Sequence, residues 1–393
     1  MNSLIPKARW SAALLTATVL LGTAAGVAEA APTDGPGPFP ARSAPSAPST
    51  ATAETPNTPV TGVDRLINLP GANWAQRALV SADGTRTYVG EETGTGSKLD
   101  VIDTQSGALL AQVPTSTDFW SGAKAFSPDG TRIYLITKDT LNVFDTTANT
   151  LSASIPLPDQ PRPDGWQAGS PTGLAVSPDG SKVYLGETGP NSNVIPNPSF
   201  LPGRLLTFST AQNAFTDTAD LPTVAPKGIV VRPNGTDAYV SSAEGLIHLN
   251  VAAHPSVVRT LTAPGFVDEL LLTPDGTRVY ALTRPDGRVQ VVDLATDTLT
   301  ATIDLNTGIR QIPDFALSPD GTRLYVLEDT QLPGPTVVAY DTATNQPVPA
   351  ENVAQFGLEH GAGLTVGPDG HTFYVTGVSI TESPGTYLQI VSY

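Results

Sequence analysis

From about residue 63 onward the chain shows one recurring pattern. Short apolar runs of four to six residues alternate with tight polar turns, and no stretch carries a helical 3.6-residue period. A representative run is Arg278-Val279-Tyr280-Ala281-Leu282, whose sides differ in polarity as half-buried strands do. Each unit begins with an apolar strand. A turn of Ser-Pro-Asp-Gly type and a second strand centred on tyrosine follow.

Seven such turns occur. They start at Ser81, Ser127, Ser177, Arg232, Thr273, Ser318 and Gly367, and their Asp or Asn positions are 46, 50, 55, 41, 45 and 49 residues apart. That is the repeat length of a four-stranded propeller blade. The turn chemistry is self-consistent. Proline presets φ, Asp or Asn bonds the neighbouring backbone, and glycine takes the left-handed position. A tyrosine follows each glycine by four or five residues: Tyr88, Tyr134, Tyr184, Tyr239, Tyr280, Tyr325 and Tyr374.

Two further strands complete each unit. In the second they are Leu141-Asn142-Val143-Phe144-Asp145-Thr146 and Leu151-Ser152-Ala153-Ser154-Ile155. In the fifth they are Val289-Gln290-Val291-Val292-Asp293 and Leu299-Thr300-Ala301-Thr302-Ile303. The combined motif, Ser-Pro-Asp-Gly-Thr-Arg-x-Tyr-Val followed by Val-x-Asp-Thr and Ala-x-Ile, resembles the YVTN-type β-propeller repeat. The resemblance covers residues 63–393. It implies an all-β, seven-bladed propeller of four-stranded antiparallel blades, related to the lactonase-like and WD40-like propellers, with function at one mouth of the central channel.

The two ends of the pattern complement each other. Val63–Leu69 reads as a fourth strand with no blade before it, and Tyr387–Val391 reads as a third strand with no fourth after it. The expectation is that 63–69 closes the ring as the outer strand of the last blade, leaving no unpaired neighbours between first and last blades.

Upstream the composition changes. Lys7 and Arg9, the apolar stretch Trp10–Val27 and Ala28-Glu29-Ala30 form a signal-peptide pattern over residues 1–30. The alternative is an uncleaved membrane anchor, disfavoured by the Ala, Gly and Thr content of the stretch. Residues 31–60 are rich in Pro, Ala, Ser and Thr and read as an extended linker. The propeller occupies 61–393. Together these predict an exported, extracellular protein with no membrane span once the leader is removed. A monomer is expected.

Composition narrows the partners. The formal net charge of −16 disfavours nucleic acid, and the absence of cysteine removes disulfides, thiolate metal sites and cysteine nucleophiles. Small-molecule, glycan and protein partners remain. No nucleophile elbow, zinc-protease helix, phosphate loop or dinucleotide fingerprint is present.

Candidate chemistry concentrates in the segments that lead into the first strands. Trp74, Trp120 and Trp166 precede blades one to three, Phe119 adjoins Trp120, and Phe266 and Phe356 precede blades five and seven. On one face these rings would form an arc suited to stacking on a sugar, an aromatic group or a cation, with Gln76 and Arg77 as polar partners. The alternative is that each ring wedges between blades as packing. Asp118, Asp164, Gln167, Lys227, Asp268, Gln311 and Asp314 lie in the same segments.

After the second strands come Glu91, Glu92, Asp139, Glu187, Glu244, Glu328, Asp329 and Glu382. They read either as solvated loop charges or as an acidic rim that attracts a cationic ligand or a divalent cation. Otherwise no cofactor is indicated. For a catalytic role the candidates are His360 and Glu359, with Arg162 and Arg310. They would serve a lactonase-like hydrolase or a lyase, although the histidine ligand set of metal-dependent propeller lyases has no counterpart. The leading expectation is a ligand-binding or protein-interaction module. An enzyme and a cell-envelope structural protein are the alternatives.

Overall fold

A computed structural model describes residues 65–392 except 117–122, 193, 195–197, 263–266, 284–286, 306–310, 330–333 and 381–383. The leader, the linker, Phe119, Trp120, Phe266, Arg310 and Glu382 lie outside the described residues. The protein is a seven-bladed β-propeller with blades of four antiparallel strands.

The ring closes as the chain ends suggest. Arg65–Asn68 pairs antiparallel with Gly385–Ser392, placing Arg65 opposite Ile390 and Asn68 opposite Tyr387. This strand is the outer edge of blade seven, whose inner strands are His360–Val366 and Thr372–Ser379. Leu69 N–H then donates to Thr386 O at 2.9 Å, and the buried Leu69 side chain joins a cluster with Ile67, Val89, Tyr374 and Leu388. Hydrogen bonds and apolar contacts thus seal the same joint.

The core is not central. It consists of seven apolar clusters, one in each gap between neighbouring blades. Middle strands are therefore covered on both sides. In Arg278–Thr283 every residue after Arg278 is buried, so the expectation of half-buried strands fails there. A sheet sandwiched between two other sheets has no wet face. The alternating pattern belongs instead to outer strands such as Thr150–Pro156.

Turns and tyrosines bind the blades together. In blade two, Ser127 Oγ donates to Asp129 Oδ1 at 2.5 Å. Thr131 N–H donates to the same oxygen at 3.1 Å, and Gly130 has φ of 70°. These donors hold the Asp129 carboxyl below the usual carboxylate range. The tyrosine hydroxyls reach into the next blade: Tyr184 to Val251 O at 3.3 Å, and Tyr239 to Asp297 Oδ1 at 2.7 Å. His248 belongs to this joinery. It stacks on Tyr239 and lies 2.8 Å from Asp297 and 3.1 Å from Asp237.

Candidate functional site

The segments that begin the first strands surround a cavity of about 680 Å³ to which all seven blades contribute. The repeat itself shows which wall residues are unusual. Counting back from the first residue of each turn, the fourth position holds Arg77, Ala123, Gly173, Gly228, Glu269, Asp314 and Gly363 in blade order. Four are small and leave the channel open. Three are charged, and these three meet.

Arg77 projects from a break in the first strand of blade one, between Ala72–Ala75 and Leu79–Val80. Its backbone lies so close to blade seven that any side chain at Gly363 would collide with it. The guanidinium passes blade seven and grips Asp314 of blade six with two nitrogens, the Nε bond measuring 2.7 Å. It also lies 2.5 Å from Glu269 Oε1 of blade five. The Asp314 carboxylate is buried and accepts from the backbone N–H groups of Phe315 at 2.8 Å and Leu364 at 2.7 Å. A carboxylate with that many donors tolerates burial, because each lone pair lost to water is replaced.

The polar wall is divided. Arg77, Lys124 and Lys227 come from blades one, two and four, and Asp268, Glu269 and Asp314 from blades five and six. Lys227 Nζ and Asp268 Oδ1 are 3.5 Å apart where the two arcs meet. Trp74 stands at the margin, 43 % exposed, on a strand rather than in a loop, with Glu92 as its cross-strand neighbour. Gln76 lines the same cavity and accepts from Lys124 Nζ at 3.4 Å.

Other expected residues sit elsewhere. Trp166 lies in the segment before blade three, where Gln167 bridges to Asn191, and it does not line the channel cavity. Phe356 is not at the mouth. It is buried in the cluster between blades six and seven, as wedge packing would have it. His360 Nδ1 is 3.0 Å from Asp329 Oδ2, whereas Glu359 Oε2 accepts from the backbone N–H of Ile380 at 2.6 Å. Arg162 binds Asp159 Oδ1 at 2.8 Å in the segment between blades two and three. None of these three lines the cavity.

Of the eight acidic residues expected at the rim, four lie inside, whereas Asp139 and Glu244 are exposed and Glu92 is half-buried. Glu91, Glu187, Glu328 and Asp329 are buried, because the second strands run past the tyrosine far enough to place them inside. Glu91, Glu187 and Glu328 occupy the same position, three residues after the tyrosine. Their cross-strand partners are Lys98, Arg204 and Thr336. Lys98 Nζ lies 2.6 Å from Glu91 and 2.8 Å from Asp100. Arg204 Nε lies 2.5 Å from Glu187. Blade six has no cation at that place. Burial alone pushes Glu328 up to about 7. Glu91 is pushed up to about 8, by burial first and by the nearby Asp100 carboxylate, against the pull of Lys98. Among the described residues no group of three or more His, Asp or Glu side chains is arranged to hold a metal ion.

Lys124 and Glu269 escape a motif search because neither belongs to a known signature. Writing the seven repeats one above another exposes both, since each breaks the column in which it stands. No family model and no curated protein matches the chain.

Proposed function

We propose that this protein is an exported ligand-binding propeller that takes a small polar molecule into the first-strand mouth of its channel. The carrying observation is the cavity wall. At about 680 Å³ it is of ligand size, and it places cationic groups on one arc and carboxylates on the other beneath an exposed tryptophan. Structural charges would be expected to scatter around the ring. Here Arg77, Glu269 and Asp314 share the one repeat position that the other four blades fill with glycine or alanine. A ligand with an anionic end toward Lys227, a cationic or hydroxyl-bearing end toward Asp268 and Glu269, and a face for Trp74 complements that wall.

The repeat motif supports the finer assignment to YVTN-type propellers, and the leader-like residues 1–30 support export. The test is a thermal-shift screen of amino acids, hydroxy acids and small sugars against the full chain. Stabilisation by a zwitterionic or hydroxy-acid member, lost in Trp74→Ala and Lys227→Ala, is the expected result. Hits that persist equally in both variants would refute the location.

A further inference from the structure

We propose that Lys124 is a nucleophilic amine that captures a small aldehyde or 2-oxo acid entering the channel as a reversible Schiff base. The inference rests on the channel-mouth reading above and gives it a ligand class.

The first observation is internal to the repeat. Three residues before the turn, the other six blades carry Ala78, Leu174, Ile229, Leu270, Phe315 and Leu364, all buried and apolar. Lys124 alone breaks this column. A position used for packing would accept any apolar side chain of suitable size, and a lysine there costs desolvation without adding to the core.

The second observation is where the amine goes. Its Nζ crosses from blade two to blade one and comes to rest over Gly90, where a Cβ would lie 3.4 Å from it. The absent side chain leaves room for the amine. Lys124 borders both the main cavity and a void of about 20 Å³ between the two blades.

The third observation is its company. Its hydrogen-bond partner is the neutral Gln76 amide, and among the described residues no carboxylate lies within ion-pair distance of it. Desolvation, then the nearby Arg77 guanidinium, pull its pKa down to about 7. A lysine so placed is in large part the free amine at neutral pH, the form that attacks a carbonyl.

The chemistry balances without a redox partner. The Nζ lone pair forms a C–N bond to the carbonyl carbon, and the C=O π pair moves to oxygen, which takes a proton. The resulting carbinolamine gives up its hydroxyl and a nitrogen proton as one water, leaving the imine. Hydrolysis reverses each step. An acid group beside the carbonyl would face the cationic arc of Arg77 and Lys227.

Glyoxylate with sodium cyanoborohydride, applied to the full chain at pH 7, provides the test. Reduction fixes the imine as a carboxymethyl group that peptide mass mapping can place. The expected result is labelling of Lys124 on the order of tenfold or more above exposed Lys138. Lys124→Met, which restores an apolar residue to the column, should melt no lower than the parent and lose that adduct while keeping the others. Labelling of Lys124 no greater than that of Lys138 would overturn the inference. The binding screen reads the channel independently, because its non-carbonyl members need no free amine. Hits there without Lys124 labelling would refute the covalent step and leave the site standing.

Discussion

Glu328 offers a direct check on the inner electrostatics of the ring. Blades one and three set Lys98 and Arg204 across from the equivalent glutamates, whereas blade six sets Thr336 there. The Glu328 carboxyl is buried, and its Oε1 has no hydrogen-bond partner among the described residues. Its pKa is pushed from an ordinary 4.5 up to about 7. The folded state therefore holds this proton more tightly than the unfolded chain does. Stability from this group is intact below pH 4.5, declines as pH rises through 7, and is fully lost above that. At about 1.4 kcal/mol per tenfold change in proton affinity, the cost above pH 7 is about 3 kcal/mol. Glu328→Gln cannot ionise and should escape it. Urea denaturation of parent and variant from pH 4.5 to 8.5 should give similar stabilities at the acid end. A gap in favour of the variant should then widen to about 3 kcal/mol at the alkaline end. Using the difference between the two proteins removes the parallel titration of Glu91. Thr336→Lys should narrow the gap from the other side by supplying the missing cation. Parallel pH profiles for parent and Glu328→Gln would refute the reasoning.

Three further outcomes follow from the architecture. Arg77→Ala leaves the Asp314 carboxylate buried without its cation, so chemical denaturation should show a loss of about 3 kcal/mol or more. Gly130→Ala meets only the strain of a left-handed φ, about 1–2 kcal/mol. Gly276→Ala, at a similar φ, also drives a methyl into Pro233 of the preceding blade, and calorimetry should show an added loss of roughly 1–3 kcal/mol. Leu69→Ala empties a buried place at the ring closure and should cost about 2–5 kcal/mol, and deletion of 61–70 should lower the melting temperature further. An unchanged melt for the deletion would contradict closure by Arg65–Asn68.

The fold was legible because every blade repeats the same local instructions. Pro-Asp-Gly turns, strand tyrosines and mismatched chain ends all specify one ring, and Arg65–Asn68 pairs as the expected outer strand of the last blade. The site was only partly legible. Gln76, Arg77 and Trp74, which stand out in a short segment as polar and aromatic residues, line the channel cavity. Lys124 was hidden inside a strand, where it reads as an ordinary solvated lysine until the six apolar counterparts are set beside it. Glu91, Glu187 and Glu328 misled for the opposite reason. Acidic residues after a strand suggest a wet loop, and only the length of the second strands shows that they are inside. The Arg77–Asp314 contact joins residues 237 apart, and no local pattern carries a distance of that kind.

A calorimetric titration across the two faces of the ring shows whether the channel mouth is the ligand site. The stabilising compound from the thermal-shift screen should be titrated calorimetrically into the parent, into Trp74→Ala at the channel mouth, and into His371→Ala in a turn on the opposite face. Binding should weaken by at least about tenfold in Trp74→Ala, as removal of a stacking aromatic would cause, and stay unchanged in His371→Ala. Undiminished affinity in Trp74→Ala, or a loss confined to His371→Ala, would contradict a site at the channel mouth.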